Sequence, residues 1–226
     1  MNQTRAVILM VTFAYLCLFG IYYVTMNLSE ELLRKSITQA TQSANQTVTK
    51  IFVNDVYPDI TEQLDLDDRA EGLTGEALDI VDHKVRSFMF GTDVLKVKVF
   101  NLAGLTVYST EHAQINQSRE DNSAFQTAAQ GGLGSQITHK GKFSAIDQMV
   151  FDRDLVSSYI PIRDKKRRIL GVLEVYTDRT AELAKVAGFL NQLKSTLIIA
   201  LSITGLGISL LMWVSLYRKV DKSTDE

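Results

Sequence analysis

A chain of 226 residues has room for one ordinary domain with additions, not for a multidomain enzyme. Its formal net charge of −2 excludes a nucleic-acid binder driven by bulk positive charge, and 2 prolines and 13 glycines exclude a collagen-like or low-complexity chain. The single cysteine, Cys17, can build neither a disulfide framework nor a cysteine-based zinc site.

Charge is segregated along the chain. Residues 6–26 carry no charged side chain, and neither do residues 195–217. At a rise of about 1.5 Å per residue, either stretch covers roughly the 30 Å of a bilayer's hydrocarbon core. The first assigns a membrane helix to residues 6–27, after a short amino-terminal tail at 1–5. A cleaved signal peptide is the rival reading. Its apolar core runs about 7–15 residues and ends at a small-residue cleavage site. Met26-Asn27-Leu28-Ser29-Glu30 offers no such site, so an uncleaved anchor fits better. The second span covers 195–217, with Trp213 and Tyr217 in belt positions and Arg218, Lys219 and Lys222 just after. Basic residues flank the cytoplasmic ends of spans, which puts both termini inside and residues 28–194 outside. Ser202, Gly205 and Ser209 place small residues on one face of the second span. Ordinary span composition and a close helix–helix contact both account for them.

Residues 28–91 read as stalk and entry helices. From Ser29 to about Tyr57 the pattern is helical, with Leu33, Ile37, Ala40, Ala44, Val48 and Ile51 near a heptad spacing. This seam can pack on its own domain or on a second copy; both remain open. Pro58 interrupts the pattern. Asp65, Asp67 and Asp68 lack the glycine and glutamate of a calcium loop, which leaves a solvated acidic loop. A second helix follows over Leu73–Phe90, its stripe made by Leu78, Val81, Val85, Phe88 and Met89.

Residues 92–178 form the predicted core. Leu95, Val97 and Val99 face one way, Lys96 and Lys98 the other, and Asn101–Gly104 turns the chain into Leu105–Ser109. A short helix spans about Asn122–Gln130. Further strands are expected at Gln136–His139, Asp154–Ile162 and Ile169–Thr177, the last two joined across the basic turn Arg163–Arg168. That turn suits plain solvent exposure, or contact with an anionic partner. Residues 179–194 continue as an exit helix carrying Leu183, Val186, Ala187, Leu190 and Leu193, and 218–226 form a tail. The fold class is α+β: a mostly antiparallel sheet with a long N-terminal helix, flanked by two transmembrane helices.

The segment Val97–Ser109, together with Asp154–Ile162 and Ile169–Asp178, resembles the extracytoplasmic PAS-like sensor domains of bacterial membrane receptors, the single-Cache type. These occur on histidine kinases, diguanylate cyclases and chemoreceptors. The resemblance covers about residues 30–190. It implies a bacterial inner-membrane location and a pocket on one sheet face for a small metabolite, often a carboxylate. It leaves the ligand's identity open. Only the short tail follows the second span, so the sequence as given implies either a truncated receptor or one acting through a partner. A non-sensing two-span scaffold subunit is the alternative function.

No nucleophile elbow, zinc-protease motif or phosphate loop occurs, and His83, His112 and His139 make no close metal pair, so no catalytic residue, metal or cofactor is expected. The candidate ligand-binding residues are Arg153, Tyr159, Tyr176, Tyr108 and His139. Tyrosines pair an apolar ring with a hydrogen-bonding tip, and an arginine can grip a carboxylate with two parallel bonds. The expected partners are a small-molecule ligand, membrane lipid and a second copy in a homodimer, with no nucleic acid.

Overall fold

The structure, a computed structural model, describes residues 3–64, 66, 70–146 and 148–222. The acidic run Asp65, Asp67 and Asp68 lies outside the described residues. The chain divides into two compact units, residues 1–34 with 184–226, and residues 35–183.

In the first unit, parts of helix α1 (Gln3–Ile51) and helix α5 (Thr180–Lys222) are long and apolar enough to cross a membrane. Their apolar side chains are turned outward, among them Phe13, Leu16, Phe19, Leu206 and Leu211. Gly205 meets Tyr15: a β-carbon there would come within 2.7 Å of the phenol ring. The Tyr15 hydroxyl lies 3.3 Å from Ser209 Oγ. Two of the three small residues on that face therefore make a close helix–helix contact inside the chain.

The second unit is a sheet covered by helices on one face. Beyond Ile51 the helix widens into a π-type turn, Phe52–Val56, then continues as α2 (Tyr57–Leu64). Pro58 accounts for this. It has no N–H, and its ring crowds the carbonyl four residues back, Asn54, inside the wide turn. The Tyr57 N–H reaches back to Phe52 O, the five-residue step of that turn. Pro58 thus widens the helix where an interruption was expected. Helix α3 (Gly75–Met89) follows. It matches the predicted stripe in part, burying Val81, Val85 and Met89.

Five strands come next: β1 (Val94–Phe100), β2 (Thr106–Ser109), β3 (Gly134–Ser144), β4 (Met149–Arg163) and β5 (Ile169–Asp178), with the short helix α4 (Ser123–Ala129) between β2 and β3. Their order is β2-β1-β5-β4-β3, every pair antiparallel. This is the α+β, PAS-like arrangement that the sequence implied. Strands β3 and β4 are longer than expected. Their pairing runs from Gly134 opposite Tyr159 to Ser144 opposite Met149, straight through Gly141. Arg153 therefore lies inside β4 and does not precede it. Asn122 caps α4 by accepting from the Phe125 N–H at 2.9 Å.

One sheet face packs on the helices. Phe52, Val56, Leu64, Leu73, Val81 and Val85 meet Val97, Val99, Val107, Leu173 and Val175 in a continuous core. Leu95 falls beside Phe143 and Leu155, apart from Val97, because the register shifts between Val94 and Lys96. The expected α1 seam is covered only in part, with Leu33, Ile37 and Val48 half-buried. Ala40, Ala44 and Ile51 are exposed, while Thr41, Asn45 and Thr49 are buried. Asn45 Nδ2 donates to Ser158 Oγ at 2.9 Å, and Thr177 Oγ1 donates to Asn45 Oδ1 at 3.0 Å. Arg179 Nε reaches Thr41 Oγ1 at 3.0 Å, and its guanidinium also pairs with Asp93 and Glu182. A polar stripe, one position along from the apolar one, holds α1 to the sheet.

Candidate functional site

The second sheet face carries charged side chains that are almost wholly buried. Strand pairing sets Lys98 opposite Glu174 and Glu174 opposite Tyr159, so the three stand side by side on one face. The next row on that face holds Lys96, Tyr176, Ser157 and Gln136. Lys96, Lys98 and Glu174 are at most 2 % exposed. Strands β1 and β5 are interior strands, and α4 covers the far end of this face. There Phe125 packs edge-on to Phe100, with ring centroids 5.6 Å apart, and Phe100 stacks on Tyr159 at 6.3 Å.

Between these rows and the loop after β2 lies a cavity of about 390 Å³. Its wall includes Lys96, Lys98 and Tyr176 from the sheet, Glu111, Gln114 and Arg119 from the loop, and Lys140, Lys142 and Phe143 from β3. Lys96 is committed already: its ammonium pairs with Glu111 and lies 4.3 Å from the centre of the Phe143 ring. Lys98 Nζ comes no closer than 4.0 Å to Glu174, a loose pair for two buried charges. Burial pulls the Lys98 ammonium down to about 8; Glu174 pulls the other way, while Arg119 and Lys96 add to the lowering. Burial and the Glu174 carboxylate push the phenols of Tyr159 and Tyr176 well above the usual tyrosine range, so both stay protonated. Neither phenol closes a well-formed hydrogen bond on Glu174, whose two oxygens are buried without a partner. Gln114 Oε1, Arg119 Nε and Ser157 Oγ are likewise buried and unpartnered. Such atoms are rare in native interiors, where a ligand, an ion or ordered water completes their hydrogen bonds.

The covering loop is fixed from outside. Arg119 N donates to Gly104 O at 2.8 Å, and Thr106 N to Gln117 O at 2.9 Å. Gly104 has φ +85°, and a β-carbon there would lie 2.8 Å from Glu120 N. Glycine at this turn lets the loop approach closely enough to hold Arg119 over the sheet.

Of the five candidate residues, the structure brings two to this face. Tyr176 lines the cavity and Tyr159 lies in the row beneath it. Tyr108 belongs to the opposite, helix-covered face, where its hydroxyl donates to Asp82 Oδ1 at 2.9 Å. Burial raises Asp82, but hydrogen bonds from His112, Arg86 and Tyr108 outweigh it and hold the carboxyl below its usual range. His139 is exposed between Asp154 at 3.0 Å and Asp152 at 3.2 Å. Arg153 pairs with Asp178 at 3.4 Å and does not line the cavity. Lys96, Lys98, Glu174 and Arg119 were missed. The signal for the first three was in the sequence: Lys96 and Lys98 alternate with apolar residues in β1, and Glu174 is the one charge in the run Ile169–Tyr176 of β5. Among the described residues no group of three or more His, Cys, Asp or Glu is placed to hold a metal ion. A second cleft of about 400 Å³ runs between α1 and β4, lined by Gln46, Thr49, Lys50, Pro161 and Arg163 among others. It holds no buried, unpartnered polar atom among the described residues, so the chemistry points to the first.

The sheet order β2-β1-β5-β4-β3, packed on helices on one face, is an α+β, PAS-like fold. No family model matches the chain, and no curated protein does. Among solved structures it is similar to the sensor domain of E. coli DcuS, with 15% identity, TM-score 0.42, and coverage of 68% of this chain and 97% of that one. The periplasmic domain of RsbU from Chlamydia trachomatis gives 17% identity and TM-score 0.48, covering 76% of this chain and 57% of that one. The sensory domain of the Campylobacter jejuni chemoreceptor Tlp3, solved with isoleucine bound, gives 15% identity and TM-score 0.40, covering 74% and 62%.

Proposed function

We propose that the chain is the sensing part of a two-span receptor of the bacterial inner membrane. Spans at 6–27 and 195–217 sit in membrane lipid, and residues 28–194 lie outside the cytoplasm. The cavity on the charged sheet face binds a small molecule, in the first instance a carboxylate. The reading rests on one observation above the others: a cavity in the described core lined by the buried Lys98, beside a buried glutamate whose two oxygens have no hydrogen-bond partner. A purely structural sheet would place apolar side chains there at lower cost.

Ligand occupancy is passed on through α5, which starts two residues after β5 ends and runs on as the second span. The exposed part of the α1 seam, Ala40, Ala44 and Ile51, meets the same residues of a second copy, which makes the working unit a homodimer. The output is a kinase, cyclase or chemoreceptor module, in the same chain or a partner. Calorimetry of the full chain in nanodiscs against a panel of small carboxylates and amino acids tests the sensing step. Saturable binding abolished by Arg119→Gln supports it. Absence of any binding would leave the two-span scaffold subunit as the better reading.

A further inference from the structure

The charges around the cavity go further than a generic small molecule. Lys96 is neutralised by Glu111 and Lys98 is offset by Glu174. Arg119, Lys140 and Lys142 then face the same space. The ion pairs of the described residues give these three no acidic partner. Arg119 is the most telling of them. Its Nε is buried and unpartnered, and it lies near enough to act on Lys98, Tyr159 and Tyr176 through its charge. A guanidinium held in that state, by a loop pinned to Gly104, is waiting for an anion.

We propose that the cavity takes a small organic polyanion carrying two or three negative charges, gripped between Arg119 of the covering loop and Lys98 of the sheet, with Lys140 and Lys142 closing the β3 side. This rests on the sensor reading above and narrows it. A monocarboxylate would leave at least two cations unmatched, and a zwitterionic amino acid would bring an ammonium into a space that already repels one. Anionic groups from carboxylate or phosphate would meet the same donors.

Lys98 gives the proposal an independent readout. The groups facing it are Glu174 from β5, Tyr159 from β4, Lys96 on its own strand, and Glu111 and Arg119 from the loop. In the free protein near pH 8 the ammonium is about half populated. A polyanion against it favours the charged form, so binding must draw a proton from buffer, about half a proton per ligand at that pH.

The experiment is calorimetry on the full chain in nanodiscs at pH 8, repeated in two buffers of different ionisation enthalpy. The ligands are butyrate, succinate, tricarballylate, glycerate 3-phosphate and isoleucine. The expected result is binding of the polyanions at least tenfold tighter than butyrate or isoleucine, with proton uptake. Arg119→Gln should weaken polyanions at least tenfold. Lys98→Met should abolish the uptake, and Lys98→Arg, which cannot deprotonate, should abolish it too while retaining affinity if the methionine variant does not fold. The succinate–tricarballylate and glycerate 3-phosphate arms separate a carboxylate from a phosphate source. Butyrate or isoleucine binding as tightly as the polyanions would overturn the polyanion assignment and leave the sensor reading intact. Polyanion binding without proton uptake and indifferent to Arg119→Gln would overturn the proposed grip. Failure of every ligand would overturn both readings.

Discussion

Lys98 should make the sheet-containing unit more stable as the solution turns alkaline. Its ammonium is pulled down to about 8 in the folded protein against an ordinary 10.5. Between those values the unfolded chain binds more protons than the native one, so stability rises with pH through the window. Below pH 8 both states are protonated and the cost of the buried charge is felt in full; above 10.5 neither is, and the cost is gone. The side chain is 2 % exposed, so solvent screening removes little of the effect. For a shift of this size the rise from pH 8 to pH 10 is about 2 kcal/mol, at 1.36 kcal/mol per unit. Guanidinium unfolding of the micelle-solubilised full chain, followed by far-ultraviolet circular dichroism, measures it. Other groups titrate in the same range, so the quantity to plot is the difference between wild type and Lys98→Met at each pH. That difference should climb by about 2 kcal/mol in favour of wild type between pH 8 and 10. A flat difference would mean that Lys98 keeps its proton to high pH, and that the loose pair with Glu174 compensates its burial fully.

Three further outcomes are expected. Asn45→Ala removes a side chain bonded to both Ser158 and Thr177, leaving the buried Thr177 hydroxyl without its acceptor and Ser158 with Ser135 alone; the same unfolding assay should show a loss of about 1–3 kcal/mol, and a loss under 0.5 kcal/mol would demote the polar stripe to a passive contact. Gly104→Ala combines φ +85° with a β-carbon 2.8 Å from Glu120 N; it should cost about 1–3 kcal/mol and loosen the loop that carries Arg119, read as faster amide exchange over 110–122. Ala44→Cys, in a Cys17→Ser background, should form disulfide-linked dimers in native membranes, because Ala44 lies on the exposed seam of α1; exclusively monomeric protein under oxidising conditions would refute the seam-to-seam dimer.

The sequence was legible where one period ran unbroken. The uncharged stretches, the alternation at 95–99 and 169–177, and the turn at Asn101–Gly104 were enough for an antiparallel α+β sheet between two long helices. It was less legible where two patterns overlap on one element. Helix α1 carries Leu33, Ile37, Ala40, Ala44, Val48 and Ile51 as an apolar stripe, and Thr41, Asn45 and Thr49 one position on. Hydropathy favours the first, yet the sheet edge offers Ser158 and Thr177, and matched hydrogen bonds bury the second. Two of the candidate residues fall away from this cavity for a related reason. Tyr108 and His139 were chosen for their chemistry, but facing depends on register, and register is a long-range property. Val99 opposite Tyr108 turns that ring toward the helices, and Asp154 opposite His139 leaves the imidazole at the surface. Lys96 and Lys98 looked like an ordinary polar face because nothing local says that a loop thirteen or more residues later will cover them.

The two sheet faces are joined by single peptide steps, and that bears on how binding can be felt outside the cavity. On β5, Tyr176 lines the cavity and Thr177, its neighbour, donates to Asn45. On β4, Ser157 stands opposite Tyr176 on the charged face, and Ser158, its neighbour, accepts from Asn45. One amide of α1 therefore spans the two strands whose other sides carry Tyr176 and Ser157. Hydrogen bonds weaken steeply with misalignment, whereas apolar contacts slide with little penalty. If a ligand that draws Arg119 and Lys98 together shifts β5 against β4 by a few tenths of an ångström, Asn45 cannot keep both bonds. Losing one of them, at about 1 kcal/mol, would move an equilibrium between two settings of α1 roughly fivefold. A purely apolar stripe at positions 41, 45 and 49 would hold the helix as firmly but would register no such shift. On that argument the polar stripe fixes the register of α1 in the empty protein, and its partners' attachment to the cavity-lining strands makes that register sensitive to the ligand.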